Sequence, residues 1–139
     1  MNKKEQDIFK EMTINLNTYV KSKEYEYISK IETSLKSFFN ATDIKIWYCD
    51  RDTGAIRYFT KEKSETLAMD VSLTQKVIES RRGLIENHIT SNKYYNPSID
   101  NPFALKVRSL LIFPLVRHKK VIAIVKLWRG MKQRKKFFA

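Results

Sequence analysis

Cys49 is the single cysteine of the chain. One thiol excludes an intramolecular disulfide and a cysteine-based zinc cage within one chain, and it fits a reducing compartment. Glycine is almost as scarce, with three residues in 139. Gly-x-Gly-x-x-Gly and Walker phosphate loops are absent. No apolar run reaches the ~18 residues that a membrane span needs. The N-terminus, Met1-Asn2-Lys3-Lys4-Glu5-Gln6-Asp7, leads into a charged amphipathic stretch rather than a signal-peptide core. The expectation is a cytoplasmic chain without membrane contact. Carboxylates are missing from one whole region. Residues 101–139 carry 11 Lys and Arg and no Asp or Glu, whereas residues 1–100 carry 16 against 15. The formal charge of +12 therefore belongs almost entirely to the C-terminal segment.

Apolar periodicity is present throughout. Hydrophobic residues make up 42% and charged residues 30%, which suits one domain with a real core. Ile8, Met12, Leu16 and Tyr19/Val20 recur every three to four residues and predict a helix over 5–20. Ser22 is placed to cap a second helix running to about Phe39, with Ile28, Ile31, Leu35 and Phe38 as its stripe and Phe39 beside it. From Asp43 the period drops to two. Ile44, Ile46 and Tyr48 alternate with Lys45, Trp47 and Cys49, as in a strand. Asp50-Arg51-Asp52-Thr53-Gly54 reads as a turn into a second strand at 55–60, and the polar segment 61–69 reads as a loop. Ser72 and Gln75 form a capping-box pattern for a short helix over 73–82, with Gly83 as its stop. A short strand at 84–89 precedes an Asn-, Pro- and Tyr-rich segment. Two apolar strands, 109–116 and 121–128, then flank a hairpin tip at Arg117-His118-Lys119-Lys120.

The predicted fold is α+β, with a central antiparallel sheet of about five or six strands. The N-terminal helices cover one face, and a lid of loops and short helices covers a possible pocket on the other. Residues 1–130 form a single domain, with helices in 5–39 and the sheet in 43–128. Residues 131–139 are a basic tail or the start of a connector helix.

In order and spacing, several stretches resemble a GAF domain, the small-molecule sensor module of bacterial signalling proteins and cyclic-nucleotide phosphodiesterases. They are the strand and turn from Ile44 to Gly54; Asn92-Lys93-Tyr94-Tyr95-Asn96-Pro97-Ser98-Ile99-Asp100; Arg108-Ser109-Leu110-Leu111-Ile112-Phe113-Pro114-Leu115; and Val121–Leu127. The resemblance spans roughly residues 8–130. It implies a non-catalytic regulatory domain that binds a small molecule and passes occupancy through terminal helices to a covalently linked output domain. Ala123 departs from the family's usual Gly, and His118-Lys119 from its Gly turn. The family's closing helix would begin where this chain stops, so an excised module is expected.

In that fold one sheet face packs on helices and the other lines a pocket. Lys45, Trp47 and Cys49 are assigned to the pocket face, with Arg57 continuing it, and His88, Asn92, Tyr95 and Phe103 to the lid. Each has a plainer use. Trp47 and Phe103 suit any core, Lys45 can snorkel from a strand edge, and Arg57 suits a solvated hairpin. His88 suits a surface, and Asn92 suits turn geometry. An enclosed Lys45 would favour a carboxylate- or phosphate-bearing ligand.

The ligand and any cofactor stay unidentified. The Asn-Lys…Phe…Asp-Glu set of nucleotide-binding relatives has no counterpart after Trp128-Arg129. The methionine-sulfoxide-reducing lineage uses several cysteines, and thiol–disulfide chemistry needs a second sulfur. No catalytic residue and no metal site is assigned. A homodimer through the N-terminal helices is expected, with Ile8, Met12, Leu16 and Tyr19 at its interface, and the alternative function is a ligand-free dimerisation or protein-interaction module. Nucleic-acid binding through the tail at 129–138 is a lesser alternative.

Overall fold

The computed structural model describes residues 2–10, 24–50, 53–59 and 64–130. Its strands are β1 (Asp43–Cys49), β2 (Ile56–Phe59), β3 (Ser64–Leu67), β4 (Leu84–Glu86), β5 (Val107–Arg117) and β6 (Lys120–Gly130). Helix α1 covers 3–10. It is followed by α2 (Glu24–Phe38), α3 (Leu73–Ser80) and the single turn α4 (Pro97–Asp100), with a 3₁₀ turn at Ile89–Ser91. The strands form one sheet in the order β3-β2-β1-β6-β5-β4, and every neighbouring pair is antiparallel. This is the predicted α+β architecture.

Strand alternation sorts the core into two sides. Ile44 and Ile46 of β1, Leu111 and Leu115 of β5, and Ala123, Val125 and Leu127 of β6 pack with Phe9 of α1 and with Ile28, Leu35 and Phe39. On the other face, Leu110, Ile112 and Trp128 pack under Leu73 and Val77 of α3 and Ile89 of the 3₁₀ turn. The two long apolar strands are interior to the sheet, as both of their faces are covered.

Four local expectations need correction. Segment 61–69 was expected to be a loop, yet Ser64–Leu67 pairs with β2 from Phe59↔Ser64 to Ile56↔Leu67. An edge strand has one neighbour and needs little apolar alternation, so its sequence signal is weak. The expected strand over 84–89 ends at Glu86. Gly83 does not close α3. Arg81 takes the left-handed conformation at φ 57° and donates its N–H to Val77 O. Gly83 instead lies close against Phe113, where a Cβ would come within 3.1 Å of the ring. Finally, Phe39 rather than Phe38 enters the core. Asn40 turns left-handed at φ 50° after α2. The N–H groups of Asn40 and Ala41 then return to Ser37 O and Lys36 O, at 3.2 and 3.0 Å. This Schellman closure swings Phe39 onto the sheet.

Candidate functional site

The β1–β6 register sets the site. Lys45 stands opposite Lys126, and Trp47 opposite Ile124. Cross-strand partners share a face, so two lysines sit side by side on the face away from α1 and α2. Cys49 pairs with Ile56, which brings Tyr58, two residues on, to the same side. Above them lies the segment from α4 to Phe103.

Aromatic rings wall the cluster. Trp47 meets Tyr58 edge-on, with centroids 4.6 Å apart, and Phe103 nearly parallel at 6.0 Å. Phe103 is also edge-on to Tyr58 at 5.4 Å and to Trp128 at 6.2 Å. Lys126 is fully buried. Its Nζ lies 4.7 Å from the centre of the Trp47 ring and donates to Ile99 O at 2.5 Å. Burial holds its ammonium down to about 7, against a partial opposing pull from Asp100 and Cys49. Burial also pushes the Cys49 thiol up to about 11, opposed by Lys126. The Trp47 indole N–H is buried without an acceptor among the described residues.

Lys45 has a different setting. Its Nζ lies 5.2 Å from the Tyr58 ring centre and 6.0 Å from that of Phe103. It also reaches Glu32 of α2, 3.8 Å away. The Glu32 carboxylate accepts the Ile46 N–H at 2.8 Å. Burial raises the Glu32 pKa, and the Lys45 charge and the Ile46 N–H oppose that rise. Glu32 thus joins the site's lysine to the helix on the opposite face.

Asp100 holds the covering segment down. Its buried carboxylate accepts from Leu73 N (3.0 Å), Thr74 N (2.9 Å), Thr74 Oγ1 (2.6 Å) and Asn96 N (2.9 Å). Its main-chain carbonyl accepts from Trp128 Nε1 at 3.0 Å. One residue therefore ties α4, the start of α3 and the sheet together. Asn96 caps α4 through Ser98 N at 3.1 Å and donates to Val71 O at 3.1 Å. Asn101 closes the loop through both its amide groups to Leu105.

Of the residues singled out from sequence, Lys45, Trp47 and Phe103 come together. Arg57 does not. It stands opposite Tyr48 on the helix-side face and pairs with Asp50 at 3.6 Å. The strand is entered one residue out of the expected phase, so Tyr58 takes the inward place. His88 is exposed, beyond the end of β4, with Arg108 Nε 3.3 Å from its Nδ1. Asn92 donates to Glu86 at 3.0 Å and accepts from Tyr94 N at 2.9 Å. Tyr95 packs on the cluster of Leu73, Ile89 and Trp128, which Phe103 also borders. Ile8 packs against the helix-side core. Met12, Leu16 and Tyr19, with the tail after Gly130, lie outside the described residues.

Sequence reasoning missed Lys126, Tyr58 and Asp100. Lys126 did leave a signal: it is the single charge within the apolar run 121–128.

No protein-family model matches the chain, and no curated protein matches it. Solved structures do match, and they give it a GAF-like fold. One is the GAF domain of an Acinetobacter phosphoenolpyruvate-protein phosphotransferase, at 12% identity and TM-score 0.67, covering 99% of this chain and 82% of that one. Another is the GAF domain of a two-component sensor histidine kinase from Bacillus halodurans, at 12% identity and TM-score 0.59, covering 80% of each chain. A third is an enzyme, the type II free methionine-R-sulfoxide reductase from Thermoplasma acidophilum, at 12% identity and TM-score 0.59, covering 82% of this chain and 77% of that one.

Proposed function

Starting from the fold of a GAF domain, we propose that the chain is a non-catalytic sensor domain of a signal-transduction protein. A small molecule binds on the face that carries Trp47, Tyr58, Phe103 and the two lysines. The carrying observation is that cluster: aromatic walls around donor groups, one of them the indole N–H of Trp47, which has no acceptor among the described residues. Apolar walls with a few placed polar groups are what small-molecule sites use. The sensor histidine kinase among the structures of like fold supports a signalling role. The reductase of like fold argues less for catalysis here, because the chain has one cysteine where a thiol–disulfide cycle needs two sulfurs.

The relay runs through Glu32. An occupant that draws Lys45 inward lengthens the Lys45–Glu32 contact and loosens α2 from β1. Occupancy then biases the helices toward a linked output domain, since a ligand shifts a conformational equilibrium only by what it contacts differently in the two states. The test is a small-molecule screen by thermal shift on the full chain, repeated on Phe103→Ala. A hit whose shift grows with concentration and disappears in the variant supports the reading. A library that shifts neither protein overturns it.

A further inference from the structure

The unspent hydrogen-bonding capacity of the site has one sign. Both nearby carboxylates are engaged. Asp100 accepts four hydrogen bonds, and Glu32 is shared between Ile46 N and Lys45. What remains is donors. An ammonium has three protons, and the hydrogen bond to Ile99 O accounts for one of those on Lys126. Among the described residues the Trp47 N–H has no acceptor, and no carboxylate lies within 4.0 Å of Lys126 Nζ. Lys126 also stands directly opposite Lys45. Like charges facing each other across two strands destabilise a sheet, and a buried cation without a counter-charge is costly. A plain core would place an apolar residue at 126, as it does at Ile124 and Trp128 on either side along the same face.

We propose that this site takes a small organic carboxylate, held by Lys126 Nζ and Trp47 Nε1, with its apolar or aromatic body against Tyr58 and Phe103. The proposal rests on the sensor reading above and names the ligand class for it. A cationic occupant meets two amino groups, and a neutral one adds no charge to the partial pull of Asp100 on Lys126. Phe103 and Lys45, both half-buried, mark the side from which the ligand enters. Binding also fixes a proton. The groups that face Lys126 are Asp100 on α4 and Cys49 and Lys45 on β1, with Glu32 behind Lys45. An arriving carboxylate restores the ammonium that burial disfavours.

The experiment is calorimetric titration of the full chain with benzoate, its neutral isostere benzamide and the cation benzylamine. The proposal expects benzoate to bind at least ~10-fold more tightly than benzamide, a difference of about 1.4 kcal/mol, and benzylamine not to bind. Benzoate affinity should fall about tenfold per pH unit above about 7, where the free protein loses the Lys126 proton. Lys126→Met should abolish benzoate binding while the chain keeps its melting transition. Trp47→Phe, which keeps a ring and removes the N–H, should weaken benzoate ~10–150-fold, as the loss of one hydrogen bond to a charged group does. Benzamide binding as tightly as benzoate overturns the carboxylate assignment. If that benzamide binding is lost in Phe103→Ala, the sensor reading stands without it. Unchanged benzoate affinity in a folded Lys126→Met also overturns the assignment. Binding by none of the three overturns the assignment, and the library screen then decides the sensor reading separately.

Discussion

Thr74 is bonded twice to the same oxygen of Asp100, its N–H at 2.9 Å and its hydroxyl at 2.6 Å, across 26 residues of chain. The second oxygen takes Leu73 N and Asn96 N. Asp100, Leu73 and Thr74 are buried, and Asn96 is half-buried. The covering segment owes its position to a carboxylate that occupies the N-terminal end of α3 from outside the helix, where its orphan N–H groups need acceptors.

Asp100→Ala leaves those donors buried without an acceptor. The expected loss is about 3–5 kcal/mol, the range for removing one partner from a buried charged network. Urea denaturation measures it. Asp100→Asn keeps one acceptor oxygen and should cost less. Hydrogen exchange in either variant should rise first at residues 92–106, before the sheet responds.

Lys126 makes stability depend on pH in a defined direction. Burial lowers its folded pKa from the ordinary 10.5 to about 7. Between those two values the unfolded chain holds a proton that the folded chain does not. Folding therefore gains stability as pH rises through that window, by up to about 1.4 kcal/mol per unit. Below it the ammonium is charged in both states and the penalty is complete. Chemical denaturation from pH 7 to 10 measures the slope, and Lys126→Met should flatten it while raising stability at pH 7.

Cys49 should be a poor nucleophile. Its thiol is raised from the ordinary 9.0 to about 11 by burial. The thiolate is the reactive form, so two units of upward shift cost about 100-fold in reactivity near pH 8. Alkylation by iodoacetamide, followed by mass spectrometry, should be that much slower in the folded chain than in urea. Equal rates would contradict the half-buried placement of the thiol.

The β5–β6 hairpin turns on His118 and Lys119, with φ of 50° and 64°. Two consecutive left-handed residues suit glycine or asparagine better than these. The Lys119 carbonyl accepts from Arg81 Nη1 at 2.9 Å, a bond that a backbone change of side chain leaves in place. Lys119→Gly should therefore stabilise by about 1 kcal/mol. In a domain of this size that is a rise of roughly 2–4 °C in Tm, readable by calorimetry.

The elements most legible in the sequence are those with strong local patterns. Ser72 caps α3 as its pattern with Gln75 implies, accepting from Gln75 N at 2.9 Å. Ile44 and Ile46 face the helices, and Trp47 the other side, because successive side chains in a strand point to opposite faces. The pattern fails where the period is short or diluted. Strand β2 has four residues, too few to choose a phase, and so Arg57 was assigned the face that belongs to Tyr58.

Local sequence thus determined most of the described strands and helices, though not the edge strand β3, and which side of β1 is which. Those follow from backbone geometry over a few residues. It did not determine the site. The cross-strand meeting of Lys45 with Lys126 depends on a register between strands far apart in the chain. The burial of Lys126 depends on Ile99 and Phe103 closing over it from a loop anchored by Asp100. An isolated lysine in an apolar strand is a solvated edge or a desolvated cation according to what covers it. Only the tertiary structure supplies the cover, and with it the low dielectric that turns that charge into a binding group.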